Sequence, residues 1–171
     1  LESLGVVVYK VPRRGYRLSR RVSVLDAARV SEHLGDLDPP FSLRVIAETG
    51  STNTLLMAEA GAGATHGSVI AVEHQISGRG RQNRVWVAPV GGSLAFSLLW
   101  RFARGAAALS GLSLAVGVAI VRAMRALGAS DVGLKWPNDV LWRGCKLAGT
   151  LIEVQGDALG PSAAVIGIGI N

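Results

Sequence analysis

A stretch rich in glycine and arginine has the residue types best suited to anion chemistry. Gly78-Arg79-Gly80-Arg81 alternates the two residues, and Arg84 follows three positions later. Glycine lets a backbone approach a ligand closely, and arginine supplies planar, permanently charged donors for phosphate or carboxylate. Three neighbouring cations repel one another, and a bound polyanion such as a triphosphate would relieve that repulsion. An anion site and an ordinary basic surface loop therefore both remain open, whereas a P-loop is excluded because no Gly-Lys-Ser/Thr follows.

The sequence Lys-Trp-Pro-Asn-Asp at residues 135–139 places further polar groups in a turn between two predicted strands. Asp139 could hold a magnesium ion that bridges phosphates, because this metal prefers oxygen ligands. Asn138 could bind a base or a ribose. A β-turn closed by an Asx hydrogen bond is the more common explanation of such a pattern.

Lys146 opens a strand whose continuation, residues 150–154, is largely apolar. Such a lysine either lies at a sheet edge or points into a pocket, where it would meet an acyl carboxylate or an α-phosphate. Ala148 and Gly149 are small and leave room beside the sheet. Glu153, on the same strand, can pair with a cation.

Hydroxyl and amide groups cluster at residues 49–53, Thr-Gly-Ser-Thr-Asn, where a predicted strand turns into a helix. Such residues often serve only as helix N-caps. They could equally hold a ureido or amide head group through neutral donors and acceptors. No pair of histidines has metal-ligand spacing, and no Ser-His-Asp arrangement is evident.

The pattern of elements around these segments predicts an α+β fold, with a mixed, largely antiparallel sheet and helices packed on it. We expect helices at residues 26–34, capped by Asp26 and ended by Gly35, at 54–60, and at 107–127, ended by Gly128. Residues 1–4 are expected to end a helix, with Gly5 as its stop. The predicted strands are residues 6–11, 15–18, 42–47, 68–73, 93–100, 132–136, 140–142, 146–155 and 163–170.

Composition narrows the class of protein. The chain has 171 residues, enough for one domain with a real core but not comfortably for two. Cys145 is the only cysteine, which excludes an intrachain disulfide and fits the cytoplasm. The uncharged run at 105–121 contains serines and glycines and is short for a membrane span, so we interpret it as a buried helix and expect no membrane partner.

The formal charge of +6 is unevenly distributed. One group of cations lies within the first 21 residues, and we favour an ordinary solvated face there, although nucleic acid is an alternative partner. Its members are Lys10, Arg13, Arg14, Arg17, Arg20 and Arg21.

The polar segments, in this order, resemble the central domain of biotin–protein ligases, from about residue 44 to residue 171. That resemblance implies a class II synthetase-like catalytic core at residues 38–171, C-terminally incomplete, after a remnant of a winged helix-turn-helix domain at 1–37. The chain is thus expected to be a fragment. The matching pieces are Ser51-Thr52-Asn53, residues 75–81, Arg84-Val85-Trp86, residues 135–139, Lys146-Leu147-Ala148-Gly149 and residues 165–171.

The resemblance implies an ATP-dependent ligase that makes biotinyl-5′-AMP and transfers biotin to a lysine of the biotin carboxyl carrier protein of acetyl-CoA carboxylase. It implies Arg81, Lys146 and Asp139 as catalytic residues, with Asp139 also a magnesium ligand. The implied biotin-binding residues are Ser51, Thr52, Asn53, Gln75, Arg79, Gly80, Arg81, Lys146, Gly149, Gly167 and Gly169. The implied ATP- and phosphate-binding residues are Arg79, Arg81, Arg84, Lys135, Asn138 and Asn171.

Two departures and two alternatives accompany the resemblance. The family usually has glycine where Asn83 stands and often serine where Ala88 stands, but asparagine tolerates a positive φ, so the loop can keep its shape. A remnant of a biotin-responsive transcriptional repressor that bound operator DNA is one alternative. A lipoyl or octanoyl transfer enzyme of the same fold is the other. The resemblance also implies a possible homodimer, because repressor-type members of the family pair through a sheet edge.

Overall fold

The N-terminal part of the chain is a β-hairpin followed by a short helix. The computed structural model describes residues 6–171, so the helix end predicted at residues 1–4 lies outside the described residues. Strands β1 (Val8–Val11) and β2 (Gly15–Leu18) pair antiparallel, and helix α1 spans Ala27–Leu34. The Asp26 carboxylate accepts hydrogen bonds from two N–H groups of the first turn, and Gly35, at a φ of 60°, ends the helix. The predicted hairpin and helix are confirmed, while their assignment to a winged domain stays a prediction.

The main body is a seven-stranded sheet. Its spatial order is β3-β4-β5-β9-β8-β7-β6, and within the described residues β3 and β4 form its one parallel pair. The mixed, largely antiparallel sheet expected from the sequence is confirmed. Its strands are β3 (Ser42–Thr49), β4 (Ser68–Gln75), β5 (Leu94–Phe102), β6 (Val132–Lys135), β7 (Asp139–Trp142), β8 (Cys145–Gly156) and β9 (Ser162–Ile170).

Two helices cover opposite faces of this sheet. Helix α2 (Thr52–Gly61) packs Leu56 against Leu99 and Val165, and all three side chains are fully buried. Helix α3 (Leu112–Ala126) packs on the other face, where Val140 and Ala148 are fully buried. Alternation along the strands separates the two sets, because successive side chains point to opposite faces. Each fully buried aliphatic side chain contributes about 1.5–3 kcal/mol.

Helix α3 differs from its prediction in two ways. The expected continuous helix at 107–127 is a short 3₁₀ turn, Ala106–Leu109, followed by α3, with the break at Ser110 and Gly111. Only one side of α3 is buried, and Leu114 and Val118 are exposed, so the prediction of a buried helix was wrong for its outer face. The stretch Ala106–Ala126 is long and apolar enough to cross a membrane, with a mean hydropathy of 1.8, but its inner face packs on β6, β7 and β8 as in a folded domain.

The linker between β2 and α1, residues 19–26, contacts the main body of the protein. The Arg20 guanidinium donates to the carbonyl oxygens of Gly91 and Val90, at 2.9 and 3.1 Å. The backbone N–H of Leu25 donates to the carboxylate of Glu73. The linker is therefore held against β4 and against the loop that leads into β5.

Candidate active site

One cavity of about 400 Å³ gathers nearly all of the predicted site residues. Its walls come from the start of α2, the loop after β4, the β6–β7 turn, and strands β8 and β9. Asn171 is the exception, because it lies at the exposed end of β9 with its backbone N–H donating to Leu147 O, and its role stays a prediction. The predicted residues that line the cavity are Ser51, Thr52, Asn53, Gln75, Arg79, Gly80, Arg81, Arg84, Lys135, Asn138, Asp139, Lys146, Gly149, Gly167 and Gly169.

The glycine- and arginine-rich loop is closed on itself by backbone hydrogen bonds. Trp86 N–H donates to Gly78 O at 2.8 Å, and Gly80 N–H donates to Arg84 O at 2.7 Å. A Cβ at position 78 would come within 2.6 Å of Trp86 O, so only glycine fits there. Asn83 has a φ of 57°, as expected for a residue that stands in for glycine. The loop thus has a defined shape of its own.

The arginines of this loop have different surroundings. Arg79 Nη2 donates to Thr54 Oγ1 at 2.8 Å and lies 3.5 Å from Glu153 Oε1, so Arg79 anchors the loop to α2 and β8. Arg81 Nη1 donates to Asn138 Oδ1 at 3.3 Å. In the described part of the chain, the Arg84 side chain has no polar partner. Arg81 and Arg84 are therefore better placed for a phosphate than Arg79.

Asn138 is a structural link between the turn and the loop. Its Nδ2 donates to Thr150 O at 2.8 Å while its Oδ1 accepts from Arg81. Both ends of the amide are thus engaged within the protein. This arrangement favours the turn-closing interpretation of Asn138 over contact with a base or ribose.

Lys146 and Asp139 form the ion pair of the cavity wall, with Nζ 2.6 Å from Oδ1. Asp139 is the single carboxylate in the lining, against five cationic side chains. The Lys146 Nζ also lies 5.5 Å from the centre of the Trp86 ring. This end of the cavity carries a strong excess of positive charge and suits an anionic ligand.

The opposite end is polar but uncharged. Ser51 Oγ caps α2 by accepting from Thr54 N–H at 3.5 Å, and the backbone N–H of Thr52 donates to Gln75 Oε1 at 2.9 Å. Ser51, Thr52 and Asn53 are all buried, so their polar groups depend on protein or ligand partners.

The glycines of the cavity wall make room for neighbouring side chains, and their contact with a ligand stays a prediction. A Cβ on Gly167 would overlap the amide of Asn53, and one on Gly169 would overlap the indole of Trp86. A Cβ on Gly149 would come within 3.2 Å of Lys146 Nζ. The absence of a side chain at these glycines therefore leaves room for Asn53, Trp86 and Lys146 close to the sheet.

Several lining residues were missed because their position depends on strand register. Phe96 and Ile168 are cross-strand partners, and Thr150 pairs with Ile168 on the other side of β9. Side chains alternate between the two faces along β5, β8 and β9, but alternation within a strand does not show which strands are neighbours or in what register they pair. Trp86 was named only as part of the matching segment Arg84-Val85-Trp86, yet it lines the cavity and its Nε1 is buried without a partner in the described residues. The missed residues are Gln82, Trp86, Phe96, Trp136, Pro137, Thr150, Leu151 and Ile168.

The described residues contain no group of three or more His, Cys, Asp or Glu side chains that could hold a metal ion. A magnesium ion often uses only one or two carboxylates and takes its other ligands from phosphate and water. Asp139 alone is compatible with that arrangement. The cavity therefore fits a metal ion that arrives with a nucleotide better than one resident in the protein.

Fold and cavity together define the class of protein: an α+β domain with one sheet-borne site, neutral and polar at one end and cationic at the other. Residues 45–171 match the Biotin/lipoate A/B protein ligase family, and the chain therefore belongs to that family.

Relatives with known names agree with this membership. The chain is 40% identical over its full length to the bifunctional ligase/repressor BirA of Escherichia coli, covering 52% of that protein. It is 43% identical over 134 residues to the biotin–[acetyl-CoA-carboxylase] ligase of Mycobacterium tuberculosis, covering 75% of this chain and 48% of that protein. The chain thus spans about half the length of these curated relatives.

The fold also matches solved structures. A biotin protein ligase from Aquifex aeolicus, in complex with biotin and ATP, aligns with a TM-score of 0.64 and 31% identity, over 76% of this chain and 52% of that one. The ligase from Leishmania major in complex with biotinyl-5-AMP aligns with a TM-score of 0.65 and 26% identity, over 77% and 57%. The prediction of a biotin ligase core fold is confirmed.

Proposed function

We propose that this protein activates biotin with ATP and transfers it to a lysine of a carrier protein. The observation that carries the proposal is the position of Lys146 in the cavity. It shares the cavity with the neutral polar end formed by Ser51, Thr52 and Gln75 and with the cationic end formed by Arg81 and Arg84. A carboxylic acid with a neutral polar head group fits the first end, and a triphosphate fits the second.

In the first step the biotin carboxylate oxygen attacks the α-phosphorus of ATP. A new P–O bond forms, the bond to the β-phosphate breaks, and pyrophosphate leaves with its charge. Lys146 would hold the carboxylate and the α-phosphate together, and Arg81 and Arg84 would stabilise the charge that builds up on the phosphates. A magnesium ion, bound by the phosphates and Asp139, would neutralise part of the same charge.

In the second step a lysine amine attacks the carbonyl carbon of biotinyl-5′-AMP and AMP leaves. The attacking nitrogen must lose a proton, which the phosphate of the leaving AMP or water would take up. Asp139 is the carboxylate in the lining that can help to organise this amine. The name of the Mycobacterium relative supports the biotin carboxyl carrier protein of acetyl-CoA carboxylase as the acceptor.

Exchange of radiolabelled pyrophosphate into ATP tests the first step. We expect exchange that depends on biotin, and no exchange with biotin omitted. Exchange that depends on lipoate or octanoate instead would contradict the proposal and favour the lipoyl or octanoyl alternative. Label transfer from radioactive biotin to purified carrier protein then tests the second step.

A role in transcriptional repression is a second candidate. The exposed β1–β2 hairpin motivates it, because Arg13 and Arg14 lie in its turn and Arg17 on β2. Such groups suit phosphate contacts, which position a protein on DNA without specifying sequence. In this role the protein would act as a homodimer in the cytoplasm. If the candidate is right, Arg13→Ala with Arg14→Ala will lower the salt dependence of operator binding, and an unchanged salt slope would count against it.

A further inference from the structure

Behind the neutral end of the cavity, a chain of side chains leads from a carboxylate to Thr52. Asn53 Nδ2 donates to Glu153 Oε2 at 2.8 Å and to Leu151 O at 3.1 Å. Asn53 Oδ1 lies 2.6 Å from Ser97 Oγ, which in turn lies 2.7 Å from Thr52 Oγ1. Ser97 is fully buried, and Thr52 and Asn53 are buried at 4% and 3% exposure, so water does not compete for these bonds.

The number of donors and acceptors on each side chain limits the directions of the bonds in this chain. Glu153 and Leu151 offer only acceptors, so the Asn53 amide must turn its NH₂ group toward them and its oxygen toward Ser97. An amide oxygen cannot donate, so the 2.6 Å contact requires the single Ser97 proton. The contact between Ser97 and Thr52 then needs the Thr52 proton. Gln75 Oε1, which accepts from the Thr52 backbone N–H at 2.9 Å, is a second acceptor within reach of the Thr52 hydroxyl, at 3.2 Å.

A consequence follows for the ligand. With its proton committed to Ser97 or to Gln75, the Thr52 hydroxyl can only accept from a molecule in the cavity. We propose that Asn53, oriented by Glu153 and Leu151 O, and Ser97 are positioning residues that make Thr52 an obligatory acceptor, so that the head group must present an N–H donor there. This inference rests on the proposed function, since the cyclic urea of biotin has such N–H groups whereas the head groups of lipoate and octanoate have none.

The test compares biotin with two analogues that each differ from it at one ring position. Biotin and its cyclic carbamate analogues, in which one or the other ring N–H is replaced by oxygen, are titrated into the protein by calorimetry. For the natural sequence we expect one carbamate to bind at least about tenfold more weakly than biotin, because two acceptors then face each other. In Ser97→Ala the Thr52 proton is released and can turn to the carbamate oxygen, so the ratio of the two affinities should fall to about twofold or less.

Controls separate this effect from a general loss of structure. Ser162 is also a buried strand serine, and its hydroxyl donates to Arg104 O at 2.7 Å, outside this cavity. Ser162→Ala should lower the melting temperature like Ser97→Ala while keeping the natural affinity ratio. If Ser97→Ala and Ser162→Ala each weaken the binding of biotin and of the carbamate equally, the chain of hydrogen bonds has only a structural role and the inference is wrong.

Glu153 supplies a second pair of variants, with a side chain 31% exposed that should tolerate change. Glu153→Gln keeps an acceptor for Asn53, and Glu153→Ala leaves Leu151 O as an acceptor, so both variants should keep the ratio. Equal loss in both would show that the charge beside Arg79 matters and not the bond direction. Absence of biotin binding to the natural sequence would overturn the proposed function itself. Biotin binding with a ratio near one would overturn only this inference.

Discussion

Lys146 on β8 and Asp139 on the neighbouring strand β7 face each other, with Nζ 2.6 Å from Oδ1. The pair lies beside the glycine- and arginine-rich loop. Two lysines line the cavity, Lys146 on β8 and Lys135 at the end of β6, and Lys146 is the one paired with Asp139. The carboxylate thus fixes the cation before any ligand arrives, and this preorganisation lowers the cost of binding charge.

The first prediction concerns Lys146 itself. Lys146→Gln should reduce the rate of adenylate formation about 100-fold, because a preorganised cation at the reacting phosphate is lost. Single-turnover formation of biotinyl-5′-AMP measures the effect. Lys10→Gln, on the exposed strand β1, is the matched control and should keep the natural rate. A Lys146 variant with near-natural chemistry would remove Lys146 from the mechanism.

The second prediction concerns its partner. Asp139→Asn should release the lysine and slow adenylation about tenfold, a smaller loss than that of Lys146→Gln, because the cation remains nearby. The double variant should be no slower than Lys146→Gln alone, since residues that act as a unit are not additive. Additive losses would show that Asp139 acts independently of Lys146.

The third prediction concerns the link from Asn138 to Arg81. Asn138→Ala removes the acceptor that holds the guanidinium, 3.3 Å away, and also frees Thr150 O. We expect the KM for ATP to rise about tenfold, with the far-UV circular dichroism unchanged, because a mobile arginine pays more entropy on binding. Arg81→Ala should lose adenylate formation without unfolding the domain. Unfolding of Arg81→Ala would instead mark that arginine as structural.

The fourth prediction separates two helix caps. Ser51→Ala and Asp26→Ala each remove an N-cap and should each cost about 1 kcal/mol of stability, or about 2–4 °C in melting temperature for a domain of this size. Only Ser51→Ala should also weaken biotin binding, because only Ser51 lines the cavity. Calorimetric titration and thermal unfolding measure both properties. Equal binding by the two variants would leave Ser51 as a cap alone.

The fifth prediction uses two strand glycines. Gly169→Ala would place a methyl group on the indole of Trp86, so the ring must move and its fluorescence emission should shift. Gly133→Ala, on β6, adds the same methyl group with no heavy atom within 4 Å and should leave the emission unchanged. Biotin affinity should fall about tenfold only in the first variant, since overpacking costs about 1–3 kcal/mol. A silent Gly169 variant would mean that Trp86 adapts freely.

Local patterns in the sequence were sufficient for the elements and for most of the site. Asp26 and Gly35 mark the ends of α1 as expected, because capping is a property of a few neighbouring residues. Strand alternation likewise located β5 and β9. The break between the 3₁₀ turn and α3, at Ser110 and Gly111, was missed because the whole run is uncharged, and hydropathy does not show that Gly105 approaches the backbone of Ala158.

Contacts between distant strands could not be predicted. Whether Arg79 faces a ligand or Glu153 depends on where β8 lies relative to the loop, and no local pattern contains that information. The same holds for Gly167, whose neighbour Asn53 comes from α2, and for Trp86. The polar and glycine-rich segments of the sequence thus predicted most of the residues that line the cavity. The register of the sheet decides which of their polar groups are already bonded within the protein and which remain available to a ligand.

The hydrogen bond from Asn53 to Leu151 joins residues 98 positions apart, and the cavity exists only where such distant segments meet. Contacts of this kind form late, because a long loop must close before they are gained. A partly folded chain without β8 and β9 would lack the cavity walls that these two strands supply. A ligand that binds only the complete sheet stabilises the whole domain by mass action, so the concentration of the small molecule sets how long the protein survives proteolysis.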